Sequence, residues 1–208
     1  MPIGDVDDTE TGLRARLIDV GVELVAQEGA QALTLREIAR RAGVSHGAPR
    51  RYFPTHLELL SAIARRGFTE LAERASAAVG GGAGHEDGVR SGAGPASARA
   101  RLTALAGAYL EFAQDSRGMY ELMFRHDLLE SGHLGLRDTS LPLFGRLVEL
   151  VGAARPDADA RLVAGALWAN LHGVAQLWNW GSLQLATGSD DFAPLLHAVL
   201  DAHLGSGE

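Results

Sequence analysis

The chain has 208 residues, 46% hydrophobic and 22% charged, without a single cysteine. That is an ordinary globular composition, and it excludes disulfide frameworks, thiolate metal sites and cysteine nucleophiles. The formal net charge of −7 argues against general affinity for polyanions. No apolar run approaches the roughly 20 residues that cross a bilayer, and an N-terminus with Asp5, Asp7, Asp8 and Glu10 is the opposite of a basic signal-peptide start. A cytoplasmic protein without a membrane partner is expected.

In chain order the sequence predicts an all-α fold, with helices separated by Gly, Ser, Thr and Pro and no alternating strand. A first helix is predicted from about residue 11 to Glu28, with Leu13, Leu17, Val20 and Leu24 on one face and Gly29 as its stop. Thr34-Leu35-Arg36-Glu37 is a capping box, in which the threonine oxygen accepts the Glu37 amide and Glu37 reaches back to the Thr34 amide. A short helix follows, ending near Arg41. Ala42-Gly43-Val44 then reads as a tight turn, and Ser45 as the cap of a third short helix ending near Tyr52. Leu35, Ile38, Ala39 and Val44 can pack the two short helices, which is the pattern of a helix-turn-helix. Charge concentrates here: Arg36, Arg40, Arg41, Arg50 and Arg51 lie beside one acid, Glu37. A cationic island on an acidic body suits local phosphate contact.

Thr55-His56-Leu57-Glu58 repeats the capping box and starts a helix with Leu57, Leu60, Ala64, Phe68 and Leu71 on one stripe. Residues 80–96, rich in glycine with Pro95, are expected to form a flexible loop. Beyond it, helices are predicted around Leu102–Phe112, Met119–Phe124 and Leu141–Val151. A long apolar helix is expected from Asp157 to about Ala186, and a last one over Asp191–Leu204. Phe68, Tyr109, Phe112, Met119, Met123, Phe124 and Trp168 supply the apolar lining of a small-ligand cavity, with His172 and Gln176 as polar anchors. Trp168 and Gln176 stand one helical turn to either side of His172. The long helix is apolar on several faces and carries Gly165, Ala169 and Gly173, which allow close approach. With the last helix it reads as a homodimer interface.

Enzyme chemistry is not expected, and neither is a metal or cofactor. A carboxylate-bridged di-iron bundle needs two Glu-x-x-His motifs and two further glutamates, and only Glu130-Ser131-Gly132-His133 fits. There is no nucleophile elbow, phosphate loop or His-Glu-x-x-His.

The segment LTLREIARRAGVSHGAPRRYFPTHLELLSAI closely resembles the DNA-binding part of TetR-type bacterial repressors. The threonine-led helix, the AGVS turn, the GAP start of the recognition helix, the Tyr52-Phe53 pair and the leucine-rich helix after it all match, over about residues 11–66. LWANLHGVAQLW resembles the sensor domains with a Trp-His-Gly signature, Leu171 standing where the tryptophan would be. The resemblance implies a helix-turn-helix DNA-binding domain over residues 1–56 and a larger helical domain over 57–208 for ligand sensing and dimerisation. It further implies a repressor that binds double-stranded operator DNA as a homodimer and answers a small-molecule effector. The competing expectation is a helical DNA-binding or adaptor protein without a ligand. Carried over by position, Thr34 and Tyr52 would touch phosphates and Arg36 the edge of a half-site. Ser45, His46 and Gly47 would lie at the major groove, and Arg50 and Arg51 would meet phosphate or guanine. The chain departs from the family pattern at Arg50, where an aromatic residue is usual, and at His56, where a lysine usually meets the DNA backbone.

Overall fold

A computed structural model describes residues 5–81, 95–130 and 135–205, and all regular structure among the described residues is helical. Two compact units emerge, one of residues 1–69 and 116–139, the other of 70–115 and 140–208.

The first unit opens with α1 (Asp5–Glu28) and a 3-10 turn (Ala30–Ala32), followed by α2 (Leu35–Arg41) and α3 (Pro49–Tyr52). It also takes α4 (His56–Gly81) as far as residue 69, α6 (Arg117–Met123) and α7 (His126–Glu130). Helix α1 begins six residues before the predicted start, because apolar spacing marks only its packed part, from Leu13 onward. Thr34 caps α2 by accepting the Glu37 amide at 3.2 Å. The reciprocal half of that capping box is absent: the Thr34 amide donates to the Ala32 carbonyl, and the Glu37 carboxylate turns to Arg40 and Arg41. Gly43, at φ 65°, ends the helix. The Gly43 amide bonds the Arg40 carbonyl and the Val44 amide that of Ala39, the paired closure that a left-handed glycine permits. Ser45 does not cap α3. Residues 45–48 form a turn closed by the Ala48 amide on the Ser45 carbonyl, and Pro49 opens the helix instead, where its missing N–H costs nothing.

Thr55 caps α4 through the Glu58 amide. Leu60, Ala64, Phe68 and Leu71 are buried as the stripe predicts, but Leu57 is exposed because it sits in the first turn, outside the packed part. Helices α1 and α4 approach closely, the Ile63 side chain filling the space a Cβ on Gly21 would need. Helix α6 comes equally near: a Cβ on Gly118 would stand 2.5 Å from the Val25 carbonyl oxygen of α1. Leu17, Leu24, Leu33, Ile38, Phe53, Leu59 and Tyr120 complete this core. Helix α7 was not foreseen, since five residues are too few to show a period.

The second unit contains the end of α4, then α5 (Pro95–Asp115), most of α8 (Leu136–Ala154), α9 (Ala160–Asn179), α10 (Ser182–Thr187) and α11 (Ala193–Leu204). Of the predicted loop 80–96, Gly80 and Gly81 instead extend α4 and Pro95 begins α5, and residues 82–94 lie outside the described residues. Helix α8 starts five residues early and carries Pro142 within it. The predicted long helix is two. Asp159 caps α9 by accepting the amides of Arg161 and Leu162. The helix ends at Trp180, and Gly181 at φ 75° reverses the chain into α10, a conformation open to glycine at no steric cost. Helix α9 packs against α5, α10 and α11 through Ala164, Leu167, Leu171, Ala175 and Trp178. No helix among the described residues is long and apolar enough to cross a membrane.

Candidate functional site

The helix-turn-helix is held from behind. Ile38, Ala39, Pro49 and Phe53 are buried, Arg16 of α1 donates to the Ala42 carbonyl at 2.8 Å, and the Arg14 guanidinium lies 5.1 Å from the centre of the Phe53 ring. Neither α1 arginine was singled out from sequence, because nothing local to α1 says that it packs against α2.

The arginine island divides into two classes. Arg40 grips both carboxylate oxygens of Glu37 at 2.9 and 2.6 Å, while Arg41 reaches Glu37, Gln27 and Glu28. These two guanidiniums hold the Glu37 carboxyl down to about 2. Arg40 and Arg41 therefore knit α2 to itself and to the end of α1. Arg36, Arg50 and Arg51 are exposed and, among the described residues, make no ion pair.

Ser45, His46 and Gly47 are exposed in the turn before α3. A Cβ on Gly47 would meet no atom within 4 Å, so its backbone is open to close approach. Tyr52 is half-buried, and Thr34 is exposed with its oxygen engaged as the α2 cap. His56 departs from the expected picture: its Nε2 donates to the Leu33 carbonyl. That bond anchors the start of α4 to the loop before α2 and fixes the imidazole orientation.

The residues expected to meet a ligand fall into both units. In the first unit Phe68 lies edge-on to Phe124 at 5.7 Å, and Phe124 lies 4.9 Å from Tyr120. Met119 and Met123 pack over Gly67, where a Cβ would come within 2.5 Å of the Met123 sulfur. Phe68, Met119 and Met123 are buried. In the second unit the Tyr109 hydroxyl and His172 Nδ1 are 3.1 Å apart. The His172 ring lies 6.2 Å from Trp168, and Trp168 lies 6.2 Å from Phe144. Burial pushes the His172 imidazole below its usual value, so it is neutral at pH 7. Phe112 is fully buried under the Arg74 guanidinium, and Gln176 is half-buried. Phe144 of α8, one of the aromatic residues that the sequence gathers in this half, joins this cluster through Trp168. Among the described residues no cluster of His, Asp and Glu could hold a metal, and the Glu130–His133 motif falls partly outside them.

Residues 17–63 match the family described as bacterial regulatory proteins, tetR family, and residues 102–202 match the tetracyclin repressor-like C-terminal domain. No curated protein matches the chain. Among solved structures, a protein of unknown function from Rhodococcus sp. RHA1 shares 29% identity at TM-score 0.67, over 92% of this chain and 93% of its own. A TetR-family member from Streptomyces coelicolor A3 shares 22% at TM-score 0.57, over 92% and 98%. The multidrug-binding protein EbrR, in complex with imidazole, shares 23% at TM-score 0.56, over 94% and 96%. The last two speak for the fold alone.

Proposed function

Since the chain belongs to the TetR family and is a DNA-binding transcriptional regulator, we propose that it is a repressor, released from a palindromic operator by a small apolar effector. The observation that carries this reading is the division of the arginine island. Arg40 and Arg41 are consumed by Glu37, which leaves Arg36, Arg50 and Arg51 exposed on one segment with the open backbone of Gly47. Exposed guanidiniums around a helix start whose backbone can approach closely are suited to phosphate and guanine contact. Arg50 reads guanine through its planar fork, while Arg51, Arg36, Thr34 and Tyr52 position the head on phosphates. Ser45 and His46 face base edges. Residues 1–56 act as the reading head, residues 57–208 as the sensing and dimerising part.

The effector site centres on Tyr109, Trp168 and His172, an aromatic wall with a hydrogen-bonded pair in it, which is the usual build of a small-ligand site. That a protein of the same fold has been seen with imidazole bound supports a small molecule as the effector class.

Footprinting with the full chain tests the DNA reading. A dimer protects a roughly palindromic site whose half-site centres lie about 34–36 Å apart; no protected site on any upstream region of its own operon overturns it. Thermal-shift screening tests the effector, because a ligand bound only by the folded protein raises its melting temperature. A chain that no small molecule stabilises is a regulator or adaptor without an effector.

A further inference from the structure

Beside its buried side, helix α9 carries a face of mixed chemistry. Arg161, Gly165, Trp168 and His172 recur at helical spacing and fall within about 60° of the circumference at 3.6 residues per turn. Phe144 of α8 and Tyr109 of α5 meet that face from their own helices. The Phe144 ring lies 6.2 Å from Trp168, and the Tyr109 hydroxyl 3.1 Å from His172 Nδ1. The Arg161 guanidinium converges on the same Phe144 ring, 5.9 Å from its centre. All six residues belong to the second unit.

Between Arg161 and Trp168 the face is open. A Cβ on Gly165 would meet no atom of the described residues within 4 Å. Trp168 is 43% exposed, and Phe144 and His172 are half-buried, so the aromatic wall keeps surface in water. Open space beside such a wall takes an apolar body.

Charge says what that body carries. Partial burial keeps His172 neutral at pH 7, so of the six residues Arg161 alone is charged. Arg161 is exposed, and among the described residues its guanidinium makes no ion pair. The acid nearest to it in sequence, Asp159, is turned to the amides of Arg161 and Leu162 as the cap of α9. An uncommitted guanidinium presents a planar fork that a carboxylate fills with two parallel hydrogen bonds. A cation would be repelled by it. A doubly charged phosphate would meet a single guanidinium with the Asp159 carboxylate two residues away. Arg161 and Trp168 stand about 10 Å apart along the axis at 1.5 Å per residue, so one small molecule reaches both.

We infer that the effector is a small amphipathic carboxylic acid, whose carboxylate is gripped by Arg161 and whose aryl or acyl body lies on Trp168 and Phe144. This rests on the effector reading above and adds a charged head to the apolar body.

Three probes that share one body decide it: phenylbutyrate, phenylbutanol and phenylbutylamine, each titrated calorimetrically into the full chain at pH 7. The acid binds about tenfold more tightly than the alcohol, as one charge-assisted pair at an exposed guanidinium allows, and the amine binds weakest. Arg161→Gln removes the margin of acid over alcohol and leaves the alcohol as it was, whereas Trp168→Ala weakens all three alike. The wild-type comparison of the three probes stands even if a variant misfolds. An alcohol or amine that binds as tightly as the acid, or a margin that survives Arg161→Gln, overturns the carboxylate head and leaves room for an effector of another class. Absence of binding by all three overturns the site, while a ligand found by thermal-shift screening would still uphold the effector reading. An acid held through Arg161 that leaves operator affinity unchanged overturns its role as the effector.

Discussion

The first unit holds twelve arginines against thirteen acids, the second seven against thirteen. Their exposed apolar surface runs the other way: of the large hydrophobic residues in water among the described residues, Leu57 belongs to the first unit, whereas Leu141, Leu162, Trp168, Leu177, Trp180 and Leu185 belong to the second. The two halves of the chain are both helical and both well packed, so the difference lies in what their surfaces can desolvate. A phosphate is met by guanidiniums that keep some of their water and stay free of internal partners. An apolar ligand or a second protein copy is met by side chains that release water on contact. The first unit spends its core on rigidity and leaves its chemistry to a few free charges, while the second keeps part of its apolar inventory outside.

The sharpest way to break this comparison is through the support of the reading head. Phe53→Ala removes a buried aromatic side chain and is expected to destabilise the chain by about 3–5 kcal/mol, seen as a lowered unfolding midpoint. If the midpoint holds and operator binding alone is lost, Phe53 is a contact residue and the core of the first unit has been misassigned. Next in size is Arg50→Ala, which should cost about 1–3 kcal/mol of operator affinity and relax preference at one base pair. Arg51→Ala should weaken all sequences alike and flatten the salt dependence. Equal effects on specific and random DNA from both variants would remove the distinction between reader and anchor.

Smaller still is Ser61→Ala. Its hydroxyl is buried in α4 with no hydrogen-bond partner among the described residues, so replacing it should be neutral or stabilise by up to about 1 kcal/mol in chemical denaturation. A loss of stability would show that the hydroxyl is engaged.

The last prediction concerns pH. Glu37 titrates at about 2 in the folded chain against an ordinary 4.5, so the folded state binds its proton less readily than the unfolded one. Its stabilising contribution is complete above about 4.5 and fades as pH falls toward 2. Glu37→Gln should lose that part of the acid response, and an acid-unfolding curve identical to wild type would mean the Arg40–Glu37–Arg41 knot contributes nothing. His172 has the same sign by a different cause: half-buried and neutral, it makes stability fall as pH drops below 6.5. NMR titration should find its midpoint below that value.

Much of the reading head was legible because its signals are local. Thr34 and Thr55 announce helix starts within four residues, Gly43 announces a left-handed turn, and an arginine run announces itself in the composition. Where the local reading went astray, another nearby residue competed for the same role: Pro49 displaced Ser45 as the start of α3, and Arg40 and Arg41 drew Glu37 away from the Thr34 amide. The expected ligand residues were harder. Aromatic and methionine side chains at helical spacing announce burial, but not which neighbours share it.

Sequence alone determined that the chain is helical, where its helix-turn-helix lies and which residues carry positive charge, because propensity, capping and turn geometry act over a few bonds. Only the tertiary structure decided which arginines remain free, that His56 turns to the Leu33 carbonyl, and that Tyr109 meets His172 from 63 residues away. It also decided which face of α9 is left in water. Each of these depends on partners brought together by packing, and the apolar pattern of a helix buried on several sides reads the same whichever side stays open.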